Sequence, residues 1–245
     1  MNRKNNISIA TDDSTGINMK IKNNPSFGDY HIHSSTLSDG MNSIDDIVVQ
    51  AGNLNYKEIA ITDHNQEYLN SYNFHINTHY SIIASGRWKN IHNDVHVIFG
   101  VEADLLNEQG DICDHIQNIS PEFMILSAHR KMYSGDNSLI KNGYLNAISR
   151  YGSKIKLLGH LCSQQFSDHL KAEDIIEIVS AANKAGISLE LNCANLVNNK
   201  TCENNLKAML SCSKSLYVNS DAHTLHEFIN LKDKGFKYLK FNNFI

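Results

Sequence analysis

No apolar run in this chain approaches the roughly 18 residues needed to cross a bilayer, so the sequence offers no membrane span. The opening MNRKNNISIATDDSTG has basic residues but no apolar stretch behind them, which excludes the pattern of a secretory signal. An excess of basic charge is missing too. The 22 Lys and Arg are outnumbered by 26 Asp and Glu, for a formal net charge of −4. Long nucleic acid held mainly by charge is therefore disfavoured as a partner, although a short basic groove is not excluded. The cysteines are odd in number (Cys113, Cys162, Cys193, Cys202 and Cys212) and none are spaced CxxC. This argues against a disulfide framework or a thiolate zinc site and for reduced thiols. Nothing in Pro, Gly or Ser usage marks an internal linker, and no fixed-period repeat is visible. The expectation is a cytoplasmic globular protein whose 245 residues suffice for one barrel-sized domain.

Histidine is abundant, with 13 residues, and their placement carries the argument. Residues 1–26 are polar and rich in Asn, without clear periodicity, and are expected to form a loosely docked extension to a domain spanning 27–245. From Phe27 onward, short apolar strands alternate with amphipathic segments. Strands are expected at 27–33, 57–64, 95–104, 122–129, 154–160, 187–193 and 215–223. Helices are expected at 43–54, 66–88, 137–150, 172–186, 202–212 and 224–235, with FKYLKF (236–241) read as a closing strand. Seven strands separated by helices predict an α/β protein with a parallel sheet. A single β/α barrel is favoured over an open sheet because of where the polar residues fall.

Nearly every strand ends in a metal-ligating type. The first carries His31 and His33, the second His64, the third Glu102, the fourth His129 and the fifth His160; Asp221 and His223 close the seventh, and Asp39 lies in the loop after the first. In a β/α barrel these ends converge on one face. Residues two apart on a strand face the same side, so His31 with His33, and Asp221 with His223, can each grip one ion. Six imidazoles and three carboxylates suit Zn²⁺, Mn²⁺ or Fe²⁺ rather than Ca²⁺. Nine ligands exceed what one ion can take and imply two or three ions. A lone histidine at a strand end is ordinarily structural, but that explanation has to be invoked afresh at each of the six strands. The remaining histidines read as surface residues: His92, His96, His115, His169 and His226, and the helically spaced pair His75 and His79, which no glutamate turns into HExxH.

In order and spacing, DYHIHSSTLSDG, AITDHN, GVEAD, LSAHR, LGH and NSDAH resemble the motifs of the polymerase and histidinol phosphatase (PHP) superfamily, over residues 28–225. The resemblance implies a single distorted (β/α)₇ barrel with a trinuclear metal site at the C-terminal strand ends. His31, His33, Glu102 and Asp221 would hold one ion and Asp39, His64 and His223 a second. Glu102, His129 and His160 would hold the third, with Glu102 bridging. Leu161 stands where many relatives have Pro, which alters a loop rather than a ligand.

The implied activity is hydrolysis of a small phosphate monoester by a metal-activated hydroxide, with histidinol phosphate the leading substrate. Such ions lower the pKa of coordinated water from about 15.7 toward about 7. Arg130, next to a ligand, is the candidate phosphate clamp, with Lys131 a weaker one. Asp63 should turn to the opposite side of its strand from His64. Rival readings are a nucleotide or oligonucleotide phosphoesterase or exonuclease of the same superfamily, an amidohydrolase-type metal hydrolase, and a non-catalytic metal-binding barrel. The amidohydrolase reading lacks a mid-barrel lysine, and the non-catalytic one is hard to square with nine filled positions. Sequence does not give the oligomeric state.

Overall fold

A computed structural model describes residues 19–74 and 90–245. Its strands are β1 (Lys20–Ile21), β2 (Gly28–Asp29), β3 (Glu58–His64), β4 (His96–Leu105), β5 (Ile112–Cys113), β6 (Phe123–Ser127), β7 (Ile155–Leu158), β8 (Ser188–Asn192) and β9 (Ser215–Asn219). The helices are α1 (Ile44–Asn53), α2 (Gln66–Ser71), α3 (Ile140–Tyr151), α4 (Ala172–Ala185), α5 (Cys193–Val197), α6 (Glu203–Cys212) and α7 (Leu225–Phe241). Strand order is β1-β9-β8-β7-β6-β4-β3-β2, parallel throughout, with β5 antiparallel on β4. The seven expected strands correspond to β2, β3, β4, β6, β7, β8 and β9. Together they form the curled sheet of a distorted (β/α)₇ barrel with helices outside.

Alternation along the strands builds two distinct surfaces. Ile59 and Ile61 of β3, Val97, Phe99 and Val101 of β4, and Leu189 and Leu191 of β8 face outward into apolar clusters with the helices. The inward face starts apolar and turns polar. Tyr30, Phe123 and Tyr217 plug one end, with ring centroids 5.0–5.9 Å apart. Further along the same faces stand His64, Glu102 and Asp104, Glu190 and Asn192, and Asn219, all buried. A packed plug at one end and buried polar groups at the other give the barrel a chemical polarity along its axis.

Closure between β2 and β9 is irregular. It is made by one parallel bridge, Ile32 with Ala222, by side-chain bonds of Asp29 and Asn219 to the facing backbone, and by Asn23. The side chain of Asn23 donates to the carbonyls of Gly28 (3.2 Å) and Val218 (2.9 Å) and accepts from the Val218 N–H (2.8 Å), acting as a surrogate strand. Residues ahead of the boundary expected at 27 are part of the sheet, since Lys20–Ile21 pairs with β9 and Asn23 bonds across the seam.

The closing strand expected at 236–241 is absent, because α7 runs on to Phe241. Its buried stripe, Phe228, Leu231, Lys232, Gly235, Phe236 and Leu239, keeps helical spacing past the glycine. Gly235 is a point of close approach and not a stop: a Cβ there would lie 2.5 Å from Cys193 Sγ and 2.8 Å from Val218 Cγ1. The short α5 was not foreseen. The helix expected at 66–88 is seen as Gln66–Ser71, and its remainder, including His75 and His79, lies largely outside the described residues. Among the described residues no helix is long and apolar enough to cross a membrane.

Candidate metal centre

Glu102 lies at the middle of a histidine cluster. In the parallel register of β3 and β4, His64 is the partner of Glu102, and its Nδ1 lies 2.9 Å from Glu102 Oε2. Around the same carboxylate are the Nε2 atoms of His160 (2.8 Å), His31 (3.3 Å), His33 (3.6 Å) and His129 (3.9 Å). Asp221 Oδ1 approaches Nε2 of His33 at 3.2 Å and of His31 at 3.5 Å. Asp39 Oδ1 lies 3.5 Å from Nε2 of both His64 and His223. All nine residues singled out from the sequence are therefore linked by these contacts into one cluster.

Three groups present ligand atoms within 4.8 Å of one another: His33, Asp39, His64 and His223; His31, His33 and Glu102; and His64, Glu102 and His129. The resemblance implied a similar division. The geometry differs in adding His33 to the Asp39 group, in leaving Asp221 out of the His31 group, and in placing His64 rather than His160 with Glu102 and His129.

Whether such residues suit metal ions can be judged from their unmet bonding. His31 Nε2, both ring nitrogens of His33, Asp39 Oδ1, His64 Nδ1 and Glu102 Oε2 are buried with no hydrogen-bond partner. Buried polar atoms are ordinarily paired, and each orphan costs roughly 1–3 kcal/mol. Six such atoms on five of the candidate ligands, with nitrogen and carboxylate donors intermixed, fit a divalent metal site. Two of the residues also stand in the left-handed backbone region, His160 at φ 26° and Asp221 at φ 53°. Such strain persists where the surroundings fix it and clusters at functional sites.

Electrostatics follow from this crowding. Burial opposes the charged form of Glu102, but His31, His129 and His64 outweigh it and hold the carboxyl well below its usual range. Burial and the neighbouring His33 push His64 down to about 4, so that its ring is neutral at ordinary pH. For His129, burial is overcome by Asp104 and Glu102, which push it up to about 9.

Sequence reasoning missed the carboxylates behind the ligands. Asp104 Oδ1 lies 2.7 Å from His129 Nδ1, and Glu190 Oε1 lies 2.9 Å from His31 Nδ1. Both were legible in principle as acids on inward-facing strand positions among apolar neighbours. Tyr68 was missed as well; it stacks on His64 at 3.6 Å between centroids and donates to Asp39 Oδ2 at 3.3 Å. Asp63 faces away from His64, as expected. There it accepts from the Ser34 N–H, Ser34 Oγ and Ser38 Oγ, each at 2.6 Å, and so anchors the loop leading to Asp39. Gly40 lets that loop fold tightly, since a Cβ would fall 2.2 Å from His33 O.

Arg130 is exposed; its guanidinium donates to the Gln165 carbonyl and lies 5.7 Å from the Phe166 ring centre. Lys131 is over the Tyr72 ring at 3.3 Å and donates to Ser71 O. His92, His96 and His115 pair with Asp45, Glu58 and Asp114, away from the cluster.

Known proteins are similar to this chain. The chain is 22% identical over 204 residues to "Probable phosphatase YcdX" of Escherichia fergusonii, covering 81% of this chain and 79% of that one. The protein of the same name from Escherichia coli O1:K1 is 22% identical over 202 residues, covering 80% and 78%. Among solved structures, hisK of Listeria monocytogenes, a histidinol phosphatase by assignment, superposes with a TM-score of 0.54 at 14% identity, covering 84% of this chain and 99% of that one. The family model described as PHP domain matches residues 29–194, a span holding every candidate ligand except Asp221 and His223. This chain belongs to the PHP domain family.

Proposed function

We propose that this protein is a metal-dependent phosphoesterase that hydrolyses a small phosphate monoester, using divalent ions held by His31, His33, Asp39, His64, Glu102, His129, His160, Asp221 and His223. The observation that carries the reading is the set of buried nitrogen and oxygen atoms without hydrogen-bond partners on His31, His33, Asp39, His64 and Glu102. Three ions, of Zn, Mn or Fe, match the three groups of side chains. Bound there, such ions would supply a nucleophile from water at neutral pH and offset charge on phosphoryl oxygens. The names of the YcdX relatives support a phosphatase, and the name of the Listeria neighbour makes histidinol phosphate the first substrate to test.

The chain's own residues have separable tasks. His64, neutral at ordinary pH, offers a lone pair without first losing a proton. Asp104 and Glu190 hold the rings of His129 and His31 so that each Nε2 points toward Glu102. The plug of Tyr30, Phe123 and Tyr217 fills the far end of the barrel with packed apolar side chains. Arg130, beside His129, is the proposed clamp for a phosphoryl oxygen; tethered through one nitrogen to Gln165 O, it keeps other donors available.

The test is a hydrolase screen of purified protein supplied with Mn²⁺, Zn²⁺ or Fe²⁺. The panel holds histidinol phosphate, nucleotides, an aryl phosphate, an aryl phosphodiester, and an aryl amide and ester. Monoester turnover that a chelator abolishes is expected. Preference for the diester would move the assignment to the nucleotide or oligonucleotide phosphoesterases. Preference for the amide or ester over every phosphate would overturn it.

A further inference from the structure

Behind the candidate ligands, the carboxylate of Glu190 is 2% exposed, and the charged group that it faces is the ring of His31. It receives four hydrogen bonds. Oε1 accepts from His31 Nδ1 and Asn219 Nδ2, both at 2.9 Å. Oε2 accepts from the backbone N–H of His160 at 2.9 Å and from Asn192 Nδ2 at 3.1 Å. Asn192 Nδ2 also reaches Asp221 Oδ2 at 3.0 Å. Glu190 therefore touches His31 and His160 directly and Asp221 through one intermediary, and these three come from different strands. Two of them, His160 and Asp221, carry the strained positive φ.

We infer that Glu190 is a positioning residue for the centre: it fixes the His31 ring with Nδ1 protonated and Nε2 presented to metal, and it holds the His160 backbone in the turn that aims its ring at Glu102. This rests on the metal-dependent reading above. The chemistry is that of a carboxylate–histidine–metal relay, in which the outer acid sets the ring's tautomer and direction and its loss typically costs 10–100-fold in metal affinity. The extra element here is that the second oxygen of the same carboxylate accepts from the main chain of another candidate ligand. Glu190 couples two ligands that are otherwise held on separate strands.

The isosteric change Glu190→Gln separates this role from mere packing. An amide cannot accept four hydrogen bonds with two oxygens, so its NH₂ must replace one of them. Facing His31, it requires that ring to accept at Nδ1 and carry its proton on Nε2, where it no longer ligates. Facing His160, it sets a donor against the backbone N–H and breaks the turn. Either orientation removes one ligand while keeping the side-chain volume.

Wild type and E190Q are loaded with Zn²⁺, and affinity is read by competition with a chromophoric chelator; bound metal per chain is read by emission spectroscopy. E190Q is expected to bind its weakest ion roughly 10–100-fold more weakly and to retain fewer ions after dialysis. Its metal-free melting temperature reports the structural contribution separately. Lowered melting with wild-type metal affinity would mean a structural role only and would overturn the inference. If E190Q does not fold, the wild-type protein decides. In Zn-loaded protein labelled with ¹⁵N-histidine, His31 is expected to carry its proton on Nδ1; metal on Nδ1 would overturn the inference. Wild-type protein that takes up no divalent metal would instead overturn the reading on which it rests.

Discussion

Oδ1 of Asp104 accepts both the Nδ1–H of His129, at 2.7 Å, and the backbone N–H of the same residue, at 3.1 Å. One buried oxygen thus fixes the ring and the main chain of a candidate ligand together, while Oδ2 accepts from Asn65 Nδ2 at 2.7 Å. The change Asp104→Asn keeps the shape and weakens the acceptor. It should lower metal affinity by roughly 10–100-fold and turnover with it. Chelator competition checks the first outcome and the phosphatase assay the second, and unaltered affinity would show that His129 needs no such support.

His64 is at the junction of two of the three ligand groups, so its removal should damage both. His64→Ala is expected to abolish turnover, a loss larger than the roughly 10–100-fold typical of outer partners, with the far-UV circular dichroism of the barrel retained. A variant with wild-type activity would show the ligand assignment to be wrong.

The strand ends were legible because two periodicities coincide in the sequence. Apolar strands show the period of the sheet, and six of the seven terminate in a ligand type, so parallel topology brings His31, His64, Glu102, His129 and His160 together. Glu190 and Asp104 followed the same rule: Ser188, Glu190 and Asn192 alternate with Leu189 and Leu191 in β8. They were overlooked because an inward acid below the mouth looks, from sequence, like any half-buried polar residue. The seam made by Asn23 was not readable at all. An asparagine in a polar segment gives no sign that its amide will stand in for a strand against Val218, a contact across 195 positions. The end of α7 was misread for a local reason, since a glycine in a helical pattern signals a C-cap unless something beyond the helix demands the missing side chain.

That demand gives a stability prediction. At Gly235 a Cβ would press on Cys193 Sγ and Val218 Cγ1, both in the apolar layer between α7 and the sheet. Overpacking of this kind costs about 1–3 kcal/mol, so Gly235→Ala should lower the melting temperature by about 2–4 °C for each kcal/mol. Metal affinity should stay unchanged, because the strain lies outside the barrel. Adding Cys193→Ala opens space for the new methyl group, so the double variant should lose less than the sum of the single costs. Additive losses would mean that the contact is not the cause.

Metal uptake and acidity must be linked in this site. Burial disfavours the charged form of His129, yet Asp104 and Glu102 prevail and push it up to about 9, so metal-free protein at neutral pH carries a proton that an ion has to displace. Affinity should therefore rise about tenfold per pH unit for each proton displaced, up to about pH 9. His64, pushed down to about 4, adds no such dependence at neutral pH. The metal-free protein should behave in the opposite way. A histidine raised from about 6.5 to about 9 stabilises the fold fully below pH 6.5, and that stabilisation is lost as pH climbs through 9. Melting temperatures of chelator-treated and metal-loaded protein should therefore diverge between pH 6 and 9. At a free metal concentration 100 times Kd, loading contributes about 2.7 kcal/mol per site. A gap that stayed constant or narrowed as pH rose would mean that His129 gives up no proton on loading and is not a ligand.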